Sequence, residues 1–169
     1  MRLKIKDQPV VKITKIGFDL NGTLALRIGD TYFAYPGAIA CVRALKGEGV
    51  ALALVSDSSP TIIDRILGKM ELCREQYFAV VVSGNDLEYR RKPDPYAWKE
   101  AARVLRVEGD GLAIENTPDG VRSAVEAGWL VAAIKSTSSV KELENAGACV
   151  VVESFSELLG LLEEEEGDE

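Results

Sequence analysis

Short β-branched apolar runs alternate with longer amphipathic stretches along the chain, a pattern that predicts βα units around a mainly parallel sheet. Val10–Phe18 reads as the first core strand, preceded by a short pairing near Leu3–Lys6 and a Gln8-Pro9 turn. Further strands are predicted at Val50–Val55, Phe78–Val82, Leu112–Glu115, Leu130–Ile134 and Cys149–Val152. Between them lie helices. Gly37–Lys46 places Ala38, Ile39, Cys41, Val42 and Leu45 on one face, and Pro95–Arg106 does the same with Trp98, Ala101, Ala102 and Leu105. Pro60–Met70 follows Ser59 as N-cap, and Pro118–Ala127 runs from Thr117 to a stop at Gly128. Ser139 with Glu142, and Ser154 with Glu157, have capping-box spacing and open two last helices. Ala25–Ile28 and Thr31–Tyr35 around Gly29-Asp30 read as a hairpin flap.

The 169 residues suffice for one substantial core, and no repeat or long Gly/Ser linker divides them. The expectation is a single α/β domain over residues 1–162 and a frayed acidic tail over 163–169. That tail holds six acids, so removing it takes the net charge from −7 to −1. A body this close to neutral is not expected to bind nucleic acid, which selects a basic footprint. No apolar run reaches the roughly 20 residues of a membrane span, and the N-terminal stretch does not read as a signal peptide. Cys41, Cys73 and Cys149 fit neither a zinc pattern nor a disulfide framework, which predicts buried thiols and a cytoplasmic setting. The chain has no histidine, excluding His-based triads and imidazole metal sites.

Four segments stand at predicted strand ends, where open α/β sheets place ligands. In Phe18-Asp19-Leu20-Asn21-Gly22-Thr23-Leu24 an acid leaves an apolar strand for a glycine-containing turn whose N–H groups can receive an anion. Such a carboxylate can attack phosphorus, although a plain Asn-Gly hairpin turn is the simpler alternative. Ser56 ends the second strand beside Asp57, and its hydroxyl can donate to a phosphate oxygen or merely cap a turn. In Arg91-Lys92-Pro93-Asp94-Pro95 two prolines restrict the backbone, so the ammonium can reach across the site; the alternative is a solvated basic loop. In Ile114-Glu115-Asn116-Thr117-Pro118-Asp119-Gly120 acid and amide oxygens suit Mg²⁺, a hard cation.

In this order and spacing the four segments resemble the haloacid dehalogenase-like hydrolase superfamily over about residues 11–135. FDLNGTL is similar to its first motif, the strand ending LVS to its second, KPDP to its third and IENTPDG to its fourth. The resemblance implies a Rossmann-like three-layer sandwich. It implies Asp19 as nucleophile and metal ligand, and Gly22, Thr23, Ser56, Asp57 and Lys92 around a phosphoryl group. Asn21, Glu115, Asn116 and Asp119 fall where the family keeps its remaining catalytic and metal positions, with Mg²⁺ as cofactor. The chain departs from the family in two places. Family phosphatases carry a second Asp where this chain has Asn21, and an acid where it has Asn116. An amide cannot transfer a proton at neutral pH, so a slow phosphatase is the first expectation. A phosphate-ligand or protein-binding module of little activity is the second, and a phospho-accepting receiver domain a more distant third. Neither the 23–36 interval nor the 56–92 interval has length for a cap domain. The site is therefore expected to be open to a phosphorylated small molecule or macromolecule, unless a homo-oligomer covers it. Arg27, Tyr32, Phe33 and Tyr35 on the flap are candidate contacts for substrate or a second subunit, or ordinary hairpin pairs.

Overall fold

The computed structural model describes residues 1–86 and 90–163. Its central sheet runs β6-β5-β2-β7-β8-β9, all parallel, through Val80–Val82 (β6), Ala51–Val55 (β5), Val11–Phe18 (β2), Asp110–Glu115 (β7), Leu130–Ile134 (β8) and Val150–Val152 (β9). Arg2–Leu3 (β1) pairs antiparallel with the start of β2, and Leu162–Glu163 (β10) pairs antiparallel with β1. This is the mainly parallel α/β architecture that the alternation predicts.

Alternation within each strand sorts side chains into two cores. On one face Ile16, Phe18, Leu52, Leu54, Leu112 and Ile114 pack with helices α1 (Ala38–Gly47), α2 (Pro60–Lys69) and α7 (Phe155–Leu161). On the other face Ala53, Val55, Ala113, Val131 and Ala133 meet α4 (Tyr96–Leu105), α5 (Pro118–Glu126) and α6 (Val140–Ala146). Strand positions on this second face are small because two tryptophans fill it. A side chain at Gly17 would run into the ring of Trp98, and one at Gly111 into Trp129. The two indoles lie 5.2 Å apart between centroids.

Several elements differ from the sequence expectation. A short helix, α3 (Arg74–Tyr77), precedes β6, which begins at Val80 rather than Phe78. Four residues carry no usable helical period, which hides α3 from pattern reading. Glu163, assigned by composition to the frayed tail, pairs with Arg2 and bonds the Lys4 amine, while 164–169 lie outside the described residues. Cys41 is buried and Cys149 half-buried, but Cys73 is exposed, correcting the expectation of three buried thiols. Both hydrogen bonds of the capping box form at α6, whereas at α7 Ser154 accepts from the Glu157 N–H and the Glu157 carboxylate turns to the Glu153 N–H.

The flap is the hairpin β3 (Ala25–Ile28) and β4 (Thr31–Ala34). It alone fills the interval between Thr23 and Pro36, and the described part of the 56–92 interval holds only α2, α3 and β6. Tyr35 is edge-on to Phe155 and Tyr32 lies under the Arg65 guanidinium, so these two serve packing; Arg27 and Phe33 remain exposed.

Candidate active site

Asp19 is the first residue beyond β2. Its N–H donates to Ile114 O at 2.9 Å, the last link to β7, and the chain then turns, with Leu24 and Ala25 N–H groups returning to Leu20 O. Leu20 and Leu24 are wholly buried, so the turn is pinned by apolar side chains beneath it while Asn21 stays exposed. Gly22 has φ +83°, and a Cβ there would strike the Asn116 amide, so glycine is required on two counts. Ser136 Oγ donates to Gly22 O at 2.6 Å and closes the turn from the β8 side.

Lys92 reaches the same point from the opposite side. Its loop is anchored where Asp94 accepts the Tyr96 N–H at 2.8 Å and Ser123 Oγ donates to Asp94 O at 2.7 Å. The Lys92 amine donates to Asp19 Oδ1 at 2.8 Å, Glu115 Oε1 at 2.6 Å and Val55 O at 3.1 Å. Burial alone would lower its pKa, but Asp19 and Glu115 outweigh that, and the amine is held protonated above its ordinary value. Glu115 is pushed the other way. Burial raises its carboxyl well above the usual range against the pull of Lys92, and the Asp19 charge adds to the rise.

The Glu115 oxygens are both occupied, Oε1 by Lys92 and Oε2 by the Asn116 N–H at 3.3 Å. A side chain at Gly120 would collide with this carboxylate, so the first turn of α5 is shaped around it. In this structure the Glu115 carboxylate, which the resemblance implies as a metal ligand, meets the Lys92 amine. Thr23, implied as a phosphate contact, is fully buried. Its hydroxyl sits 3.0 Å from Asp19 Oδ2 and 3.2 Å from Asn116 Oδ1, tying the two groups together instead of facing the cleft.

The remaining residues converge on one open cleft of about 460 Å³, lined by Asp19, Asn21, Ser56, Asp57, Lys92 and Asn116, with Thr117, Pro118 and Asp119 at its side. Asp119 is exposed and ion-paired to Arg122 at 2.8 Å, which leaves it on the rim. Three further participants were not singled out from the sequence. Ser58 accepts from Asn21 Nδ2 at 2.8 Å, Thr137 accepts from Asn116 Nδ2 at 3.0 Å, and Ser136 holds the turn that follows Asp19. The polar run Ser136–Ser139 directly after an apolar strand was the available signal. It reads equally well as a helix cap.

The oxygen donors fit a hard divalent cation. One Asp19 carboxylate and the Asn116 side-chain oxygen are gathered on a single hydroxyl. Mg²⁺ is commonly held by one or two carboxylates, with waters and substrate phosphate completing its shell. Among the described residues no group of three or more His, Cys, Asp or Glu side chains forms a metal cluster.

The sequence model of the haloacid dehalogenase-like hydrolases matches residues 10–128. Among curated proteins, the chain is 37% identical over 108 residues to a bifunctional riboflavin kinase/FMN phosphatase of Arabidopsis thaliana, covering 63% of this chain and 28% of that protein. It is 31% identical over 101 residues to phosphoglycolate phosphatase 1 of Pseudomonas aeruginosa, covering 59% and 36%. A phosphoglycolate phosphatase of Rhodospirillum rubrum is 29% identical over 125 residues, covering 73% and 51%. The chain thus spans from about a quarter to half the length of these relatives. Among solved structures, a HAD family hydrolase from Deinococcus radiodurans R1 with bound phosphate and sodium superposes with TM-score 0.77 at 20% identity, covering 89% of this chain and 97% of that one. CbbY from Rhodobacter sphaeroides in complex with phosphate gives 0.75 at 20%, covering 87% and 96%. With the model match spanning well over half of its length, this chain belongs to the haloacid dehalogenase-like hydrolases.

Proposed function

We propose that the protein is a Mg²⁺-dependent phosphomonoester hydrolase that works through an aspartyl-phosphate on Asp19, slowly, because Asn21 cannot exchange a proton. The observation that carries this reading is the buried contact of one ammonium with Asp19 at 2.8 Å and Glu115 at 2.6 Å at the floor of an open cleft. A carboxylate is a poor partner for a phosphate dianion. Lys92, fixed by Glu115, offsets that repulsion where charge builds up.

In the first step an Asp19 oxygen bonds to phosphorus as the bond to the leaving oxygen breaks, and the departing group takes up a proton. In the second, water attacks phosphorus, gives up a proton, and returns Asp19 as a carboxylate with inorganic phosphate. Ser56 lines the cleft and is available to donate to a phosphate oxygen. Asp19, the Asn21 backbone carbonyl and Asn116 are the residues that would hold Mg²⁺, with Asp119 as an outer contact. When bound, the ion supplies positive charge against the equatorial oxygens. Support comes also from the phosphatase names of the curated relatives and from the phosphate in two structural neighbours.

The test is phosphate release from p-nitrophenyl phosphate with Mg²⁺, whose good leaving group needs little acid help. The native protein releases phosphate and Asp19→Asn does not. Equal rates from both proteins would remove this reading. No release from either, together with phosphate binding, would identify a ligand-binding relative instead.

A further inference from the structure

The two-step reaction needs a proton delivered to the leaving oxygen and another taken from water, and Asn21 can do neither. Its side chain is moreover engaged with Ser58 at 2.8 Å. The same short loop, residues 56–58, carries Asp57, one of the residues that line the cleft. Asp57 follows Ser56 at the end of β5, the strand registered beside β2 with Phe18 opposite Leu54, and it lines the cleft together with Asp19 and Lys92.

Asp57 is not explained as a structural ion pair. Its backbone oxygen accepts from Arg91 Nη1 at 3.2 Å, but its side-chain Oδ1 is buried and has no hydrogen-bond partner among the described residues. A buried carboxylate oxygen without a donor is unfavourable, and a proton or a bound hydroxyl removes the deficit. The backbone around it is fixed, because any side chain at Gly84 would meet the Asp57 carbonyl.

We infer that Asp57 is the catalytic acid and base of this chain, a partial substitute for the carboxyl absent at position 21 that leaves turnover slow; this rests on the phosphohydrolase reading above. As the phosphorus–oxygen bond to the leaving group breaks, the Asp57 carboxyl gives its proton to the departing oxygen and becomes a carboxylate. When water attacks the aspartyl-phosphate, that carboxylate takes the water proton as the Asp19–phosphorus bond breaks. The carboxyl, the free Asp19 and inorganic phosphate are thereby regenerated. Electrostatics favour the assignment. Burial holds the Asp57 carboxyl above its ordinary value; the Lys92 charge and a hydrogen bond from the Lys92 backbone oppose the rise, the Asp19 charge adds to it and Arg91 opposes it.

The experiment measures first-turnover cleavage of p-nitrophenyl phosphate and of glycerol phosphate, an alkyl ester, in the full chain with Mg²⁺. Asp57→Asn is expected to lower alkyl cleavage by about 10²-fold or more, the ordinary scale of acid–base help, while first-turnover nitrophenolate release falls by less than about tenfold. Adding Asn21→Asp to Asp57→Asn is expected to recover alkyl cleavage, since it restores a carboxyl at the neighbouring position. Equal losses on both substrates, no loss on either, or no recovery in the double variant would each overturn the assignment while leaving Asp19 chemistry intact. Absence of Asp19-dependent nitrophenolate release from the native protein would instead remove the reading on which it rests.

Discussion

Replacing Lys92 by methionine tests the electrostatic core of the site directly. The Lys92 side chain is only 8% exposed, and its amine touches two carboxylates at 2.6 and 2.8 Å, one of them on a side chain 1% exposed. At an effective dielectric of about 20, each contact attracts by roughly 6 kcal/mol, against a desolvation penalty of several kcal/mol per ion. Removing one member of such a buried set costs about 3–5 kcal/mol, because the remaining charges are left facing each other. In a domain of this size that corresponds to a melting shift of about 6–20 °C.

The loss should depend on pH, and its sign follows from Glu115. Its carboxyl is raised in the folded state by burial, so it binds a proton more tightly folded than unfolded. That contribution stabilises below the unfolded value and is lost as pH rises through the folded one. With Lys92 gone the folded value climbs further. Urea unfolding followed by circular dichroism should show the full deficit near about pH 9 and a deficit at least halved near about pH 5.5, where Glu115 is neutral. A loss below about 1 kcal/mol at both pH values, or a larger loss at the acid one, would refute the buried-triad reasoning.

Three other outcomes are expected. Asn116→Asp returns a charge to the metal donors and should lower the half-saturating Mg²⁺ concentration of p-nitrophenyl phosphate hydrolysis by about tenfold; an unchanged titration curve would argue against Asn116 as a ligand. Gly17→Ala drives a methyl into the Trp98 ring and should destabilise by about 1–3 kcal/mol in chemical unfolding, an expectation that an unshifted midpoint would end. Under native conditions Cys73 alone should react quickly with a thiol reagent, because burial shields Cys41 and pushes its thiol up to about 12; fast labelling of Cys41 would contradict its place in the core.

The strands and long helices are legible in the chain because each alternation or 3.6-residue period coincides with a burial boundary. Leu130–Ile134 lies where the pattern places it, and the Ser139–Glu142 capping box forms as the spacing indicates. Asp19, Ser56, Asn116 and Lys92 are legible for a different reason, since each stands just past a strand end or directly ahead of two prolines and meets the others only at the carboxyl edge of the sheet. What escapes sequence reading is which way a side chain turns on arrival. Nothing in Ile114-Glu115-Asn116 reveals that Glu115 faces Lys92 from below while Asn116 joins Thr23, because that choice is made by contacts 23 and 93 residues distant. Ser58 and Thr137 are hidden likewise, being short hydroxyls in polar loops whose partners come from other elements.

The antiparallel β1–β10 pairing brings residue 2 opposite residue 163 beside the start of β2, whereas Asp19 follows that strand's far end. A cargo attached at either extremity of the described chain would thus hang from the floor of the molecule and leave the mouth of the cleft clear. The same adjacency makes a circular permutant of the described residues feasible: a short peptide can bridge residues 163 and 1, and new ends can open at the solvent-exposed Gly29-Asp30 bend.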